Sequence, residues 1–182
     1  MKLFLENEIL CLRALEPEDL EILYQWENDA SHWQYGNTKT PYSRFALREY
    51  LSQANQDLMI SRQLRLMMVE KPEGHPVGAI DLYDFDPLNL RAGIGILVDI
   101  NARRRGLAFQ ALQLINDYAF NFLLLKQLYA YIPHSNEASY QLFLKSGYQM
   151  TGCLQAWLKT SAGFEDVYVM QRLAPQARYN GK

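Results

Sequence analysis

The sequence predicts an α/β fold of a single domain, with a mostly antiparallel sheet and one parallel pair of strands near its middle. Three observations carry that prediction. Leu64 to Glu70, Val77 to Phe85 and the apolar run Gly93 to Val98 are strand-like stretches divided by short turns, which makes an antiparallel meander. A long amphipathic stretch then separates the last of these from another strand, Gln127 to Ile132, and a helical crossover joins parallel neighbours. Met150 to Lys159 and Glu165 to Leu173 flank Ser161-Ala162-Gly163 and read as a closing antiparallel pair.

Each element has its own signal. Glu8 to Leu15 alternates well enough for a first strand. Pro17 opens a helix at the one turn where a missing N–H costs nothing, and the helix runs to about Glu27 with Leu20, Leu23, Tyr24 and Trp26 inward. Glu27 to Pro41 is polar yet aromatic, with Trp33 and Tyr35 near Glu27, Asp29 and His32. A loop of that length is either functional or a connection whose aromatics pack on the core. Tyr42 to Gln53 is a second helix, and Pro72-Glu73-Gly74-His75-Pro76 and Asp86-Pro87-Leu88-Asn89 are the turns of the meander. The amphipathic helix begins at about Arg105, with Leu107, Ala111, Leu114, Ile115, Tyr118 and Phe122 on one face. Asn136 to Lys145 is a short helix, capped by Ser135 or Asn136 and closed by Gly147. The order is therefore βααβββαβαββ, with a core from about residue 8 to 173 and a loose tail, Ala174 to Lys182.

Composition excludes several classes. A chain of 182 residues, 49% of them hydrophobic, can bury one sizeable core. Its net charge of −2 argues against a general nucleic-acid binder and does not favour a membrane surface. No signal-peptide pattern or membrane-length apolar run is visible, and Cys11 and Cys153 form no spacing motif. The expectation is a cytoplasmic protein with two buried thiols. His32, His75 and His134 are scattered, so no metal is expected.

The chemistry is concentrated between Gly93 and Phe109. A helix start has free N–H groups and a partial positive charge, normally met by Ser, Thr, Asp or Asn. Here the start carries Arg103, Arg104 and Arg105 with Gly106 behind them. Cations there oppose the helix dipole by about 0.3 kcal/mol or more each, unless an anion sits among them. A solvated basic turn has the same composition, and the turn alone does not separate the two readings. The preceding strand favours the anion: Gly93 and Gly95 share a face and leave it bare, as though a ligand lay against the backbone.

Arg103-Arg104-Arg105-Gly106-Leu107-Ala108 resembles the Gln/Arg-x-x-Gly-x-Gly/Ala pattern of the GNAT superfamily of N-acetyltransferases. The resemblance extends from about Cys11 to Leu173 and is nearest the branch of spermidine and ribosomal-protein N-terminal acetyltransferases. It implies a GNAT fold whose central parallel strands splay to admit acetyl-CoA. Pantetheine would bond the backbone of Ile96, Leu97 and Val98, and the pyrophosphate would sit on Arg103, Arg104, Arg105, Gly106, Leu107, Ala108 and Phe109. Asn136, Ser139 and Phe143 would complete the coenzyme site, Asn136 serving also as a helix cap.

Acetyl transfer to an amine requires a deprotonated amine, a donor for the carbonyl oxygen and a proton for the departing thiolate. No Ser–His–Asp or Cys–His arrangement is visible, so direct attack on the thioester is the simpler route, with the Val98 N–H as oxyanion donor. Relatives carry Asn-x-x-(Ala/Ser)-x-x-x-Tyr-x-Lys-x-Gly-Phe, with the Tyr beside the coenzyme sulfur. Here the run is Asn136-Glu137-Ala138-Ser139-Tyr140-Gln141-Leu142-Phe143-Leu144-Lys145-Ser146-Gly147-Tyr148, and Phe143 stands at the Tyr position. Tyr140, three residues earlier on the same helix, is the candidate substitute. A packing role fits Tyr140 equally, and Tyr148, Tyr131 and water are other donors. Lys145 is most simply a cation at a helix C-terminus.

Asp81, Asp84 and Asp86, with Glu165 and Asp166, lie at strand ends and would draw a cationic amine, though such residues are also commonly just solvated. Asp84 is the first candidate base, because polyamine-using relatives carry acidic residues in this strand. The expected acceptor is a polyamine such as spermidine, with the N-terminus of a ribosomal or other protein as the alternative. A non-catalytic coenzyme-binding sensor is the reading from a different class. Homodimers are frequent in the branch it resembles.

Overall fold

The computed structural model describes residues 4–33, 40–54, 57–71 and 73–175, without the side chains of Ser31 and His32. Tyr35, Pro72 and the tail from Gln176 lie outside the described residues, as does the His32 side chain. The chain runs β1 (Leu10–Arg13), a 3-10 turn (Pro17–Asp19), α1 (Leu20–Glu27), α2 (Ala30–Trp33), α3 (Arg44–Gln53) and α4 (Leu58–Ser61). It continues β2 (Leu64–Glu70), β3 (His75–Asp86), β4 (Arg91–Val98), a second 3-10 turn (Ile100–Ala102) and α5 (Leu107–Asn121). Then come β5 (Gln127–Pro133), α6 (Glu137–Lys145), β6 (Gln149–Thr160) and β7 (Gly163–Leu173). The strands form one seven-stranded sheet, β1-β2-β3-β4-β5-β7-β6, antiparallel except for β4 beside β5. This is the α/β GNAT fold that the resemblance implies.

The sheet is covered on both faces. On one, α5 buries Leu107, Ala111, Leu112, Leu114, Ile115, Ala119 and Phe120 against Leu66, Met68, Ile80, Leu82, Ile94 and Leu128. Each fully buried Leu, Ile, Met or Phe among them contributes about 1.5–3 kcal/mol of transfer free energy. On the other face, Leu23 and Trp26 of α1 pack with Leu15, Met67 and Ala79. Met67 and Met68 are neighbours on β2 and enter opposite cores, which is the two-residue period of a strand at work. Local chemistry fixes the helix starts: Ser43 accepts from the Ala46 N–H, Asp57 from Met59 and Asn136 from Ser139.

Several sequence expectations change. Helix α5 starts at Leu107 rather than Arg105, because Arg104 (φ 62°) and Gly106 (φ 79°) are left-handed and cannot join a helix. Phe122 is beyond its end, 59% exposed, with its ring stacked on Tyr118. Tyr24 lies under the Arg44 guanidinium, 3.9 Å from the ring centre, rather than in the core. Cys153 is exposed and Cys11 half-buried, so the pair are not two buried thiols. The bare face at Gly93 is filled from within: a Cβ there would fall 2.2 Å from the Tyr83 ring, the cross-strand neighbour. Among the described residues no helix is long and apolar enough to cross a membrane.

Candidate active site

The central parallel pair makes the cleft. β4 and β5 are paired only at Arg91↔Gln127, Ala92↔Leu128 and Gly93↔Tyr129. Beyond that, β4 stays with β3 as far as Val98↔Gly78, and β5 stays with β7 as far as Pro133↔Val167. The two strands therefore part. The Asp99 N–H donates to the Val77 carbonyl, so Leu97 and Asp99 turn their backbone groups to β3. By alternation Ile94, Ile96 and Val98 turn theirs to the side that β5 has left. Of the three residues expected to hold a ligand's amide arm, Ile96 and Val98 face the cleft and Leu97 faces the β3 ladder. The Val98 carbonyl also accepts from Arg103 Nε at 3.2 Å. The approach of β3 is close here: a Cβ on Gly78 would lie 2.2 Å from the Leu97 carbonyl oxygen.

The cleft leads to the start of α5. No side chain caps that helix, its N-cap is Gly106, and a Cβ on Gly106 would meet nothing within 4 Å. The first-turn N–H groups of Leu107, Ala108 and Phe109 thus end at open space, with Arg103 and Arg104 exposed beside them. Arg105 is turned away, its Nη2 2.6 Å from Glu70 Oε1. Lys145 Nζ lies 4.9 Å from the centre of the Phe109 ring. Strand amides that face the cleft at one end and an uncapped, basic helix start at the other fit an extended ligand with an amide-bearing arm and a phosphorylated end.

Two residues that the sequence did not single out support this geometry. Asp99 accepts from the Asn101 N–H at 2.9 Å and from Trp26 Nε1 at 2.8 Å, tying the link after β4 to α1. Burial pushes the Asp99 carboxyl up, but these bonds outweigh it and hold the group below its ordinary range. Asn116, 2% exposed in α5, accepts from the Tyr148 hydroxyl at 2.8 Å.

Helix α6 borders the wide end of the cleft. Asn136 Oδ1 accepts from the Ser139 N–H at 3.2 Å, which is its capping role. The Tyr140 ring lies 5.1 Å from that of Tyr168, which stands 5.2 Å from His134. Phe143 is 2% exposed and meets Tyr148 edge-on at 4.9 Å. Its ring therefore packs beneath α6 toward α5, supporting the helix from below. Tyr148 is withdrawn by its bond to Asn116, and burial pushes its phenol well above the ordinary range.

On the opposite face of the sheet the carboxylates divide. Arg65 gives Nε to Asp81 Oδ1 at 2.6 Å and Nη1 to Glu27 Oε1 at 2.5 Å. Asp86 accepts from Leu88 and Asn89 in its own turn and pairs with Arg91. Glu165 accepts from the Ser135 N–H, and Asp166 from Ala156. Asp84 is different. It sits on a bulge of β3 with φ 47°, is exposed, and among the described residues has no ion pair. Nearby are Tyr83, Tyr129 and Tyr131, the last two in edge contact at 5.5 Å. No sequence signal marked Tyr83 or Tyr129, because their proximity depends on strand register. Among the described residues no cluster of His, Cys, Asp and Glu could hold a metal.

The sequence pattern of the acetyltransferase (GNAT) domain family matches residues 10–149. The spermidine N(1)-acetyltransferase of Escherichia coli K12 is 30% identical over 141 residues, covering 78% of this chain and 73% of that protein. An uncharacterized N-acetyltransferase, p20 of Bacillus licheniformis, is 29% identical over 170 residues, 93% of this chain and 95% of its own. In fold, the chain is similar to a crystal structure of Vibrio cholerae spermidine N-acetyltransferase in complex with CoA and spermine. The TM-score is 0.83 at 23% identity, with 96% of this chain and all 100% of that one covered.

Proposed function

Since the chain belongs to the GNAT acetyltransferase family, we propose that it is an N-acetyltransferase that moves acetyl from acetyl-CoA to a polyamine such as spermidine. The observation that carries the reading is the parting of β4 from β5 after Gly93, directly before an uncapped helix start. When bound, the coenzyme supplies the acetyl group as a thioester. The N–H groups of Leu107, Ala108 and Phe109, with Arg103, Arg104 and Gly106, hold its phosphates, and Ile96 and Val98 hold the pantetheine amides. Asn136 and Ser139 close the far side. The Val98 N–H is aimed where the carbonyl oxygen gains charge. An alkylamine is mostly ammonium at neutral pH. Asp84, the one of the five candidate carboxylates with neither an ion pair nor a side-chain hydrogen bond among the described residues, takes its proton, directly or through water, and Tyr140 delivers a proton at the thiolate end.

The acceptor class is supported by Asp84 and by the printed activity of the Escherichia coli relative. A protein N-terminus is the second reading. It is favoured by Arg65, which already pairs with both Glu27 and Asp81 and leaves fewer unpaired carboxylates than a multiply charged polyamine would call for. The same proposal includes a cytoplasmic homodimer, for which Trp157 and Phe164, 65% and 67% exposed on the β6–β7 hairpin, offer apolar surface.

The test is thiol release from acetyl-CoA with spermidine, spermine, short diamines and peptides with free N-termini, in wild type and Tyr140→Phe. Turnover on polyamines with at least a tenfold lower kcat in the variant is the expected result. Turnover confined to peptides moves the acceptor to protein N-termini. Unchanged turnover in the variant removes Tyr140 from the mechanism. Coenzyme binding without turnover of any amine refutes the enzyme reading.

A further inference from the structure

A cluster of phenol rings occupies the sheet face at the point where the cleft opens. Tyr83 on β3 lies across Gly93 of β4, the last β4 residue paired with β5. Any Cβ at Gly93 would fall 2.2 to 2.8 Å from three atoms of the Tyr83 ring, so glycine there is what lets the ring lie down. Tyr83 meets Tyr129 edge-on at 6.0 Å, and Tyr129 meets Tyr131 edge-on at 5.5 Å. Tyr131 is 49% exposed and, with Tyr129, lines a cavity of about 290 Å³ bounded by Gln127, Gln171 and Thr151. Arg91, also on that cavity, is 3.2 Å from Asp86 and has its charge met. Asp84 follows Tyr83 directly on the β3 bulge, and burial, then the neighbouring phenols and the Asp84 charge, push the Tyr83 phenol up, so it stays neutral.

The geometry points to an acceptor subsite: we propose that the ring faces of Tyr83, Tyr129 and Tyr131, with the Asp84 carboxylate at their rim, bind the alkylammonium group of the acceptor. Ring faces attract a cation through their quadrupole, and the carboxylate adds complementary charge. The flanking methylenes lie on the same rings. Tyr131 is half exposed and Asp84 exposed, so the subsite is open to solvent on the face of the sheet opposite α5. This inference rests on the acetyltransferase reading for its place in catalysis, but the binding it asserts is measurable alone.

The probe is butyltrimethylammonium, a cation that cannot be acetylated, beside its neutral carbon isostere 2,2-dimethylhexane, titrated into the full chain. Calorimetry is expected to show binding of the cation and not of the isostere, with affinity falling about two- to thirtyfold in each of Tyr129→Leu and Tyr131→Leu. Under turnover the same variants are expected to raise the amine KM by that factor and leave the acetyl-CoA KM unchanged. Tyr131, being half exposed, serves as the variant that does not threaten the fold. Equal binding of cation and isostere, or unaltered affinity in both variants, overturns the subsite. A wild type that binds the cation yet acetylates nothing refutes the proposed function and leaves the subsite standing.

Discussion

Replacing Arg65 with methionine keeps most of the aliphatic stem and removes the guanidinium. Three short bonds disappear: Nε and Nη2 to Asp81 at 2.6 and 3.1 Å, and Nη1 to Glu27 at 2.5 Å. The carboxylates left behind are on side chains only 21% and 16% exposed. Breaking a buried pair by deleting one partner costs about 3–5 kcal/mol, because the orphaned charge stays desolvated. For a chain of this length each kcal/mol lowers Tm by about 2–4 °C, so a fall on the order of 10 °C is expected. Urea unfolding at neutral pH measures it, with the m-value held constant as the check that only stability has changed. Adding Glu27→Gln and Asp81→Asn to Arg65→Met should recover more than half of the deficit, because the orphaned charges are then gone. A loss below about 1 kcal/mol, the size of an exposed surface pair, would refute the reasoning.

Asp19 gives a pH prediction. Burial pushes its carboxyl up, but the Arg13 guanidinium at 2.7 Å and the Glu16 N–H hold it below the usual range. A depressed folded value means that its stabilisation is complete above the unfolded value of about 3.9 and is lost as pH falls through the folded one. Arg13→Met should therefore cost about 1.5–3 kcal/mol at pH 7, and the gap in urea midpoint from wild type should close below about pH 4. Gly78→Ala would press a Cβ against the Leu97 carbonyl oxygen and Val98 Cα, both backbone, at 2.2 and 3.1 Å. A loss of about 2–3 kcal/mol in denaturation and a weaker acetyl-CoA affinity are expected, since Val98 cannot keep its place. Tyr148→Phe leaves the buried Asn116 Oδ1 without its donor and should cost about 1–3 kcal/mol in thermal unfolding, with coenzyme affinity unchanged.

Much of the frame was legible because its signals are periodic. The Gly93–Val98 strand and the α5 face at Leu107, Ala111, Leu114 and Ile115 follow from spacing alone, and their order forces a parallel pair. Helices α2 and α4, of four residues each, are too short for any period to show. Pairing across long separations was also hidden. Glu27 and Arg65 are 38 residues apart, and nothing in either segment says which carboxylates already have partners. That is why five acidic candidates reduce to Asp84 only once partners are known. Gly93 and Gly95 illustrate the same limit. A strand with bare positions suggests room for a ligand, but the residue covering Gly93 comes from β3, and register decides it. The motif marks Phe143 as a site position, whereas the helix turns its ring into the core.

The most direct test of the account is a paired mass measurement on one reaction mixture of protein, acetyl-CoA and spermidine, quenched during turnover. The account predicts acetylated amine and free thiol in equal amounts, with the protein mass unchanged, because the proposed transfer is a direct attack with no acyl-enzyme. Thiol released without an acetylated amine, or an acetyl group found on the protein itself, would contradict it.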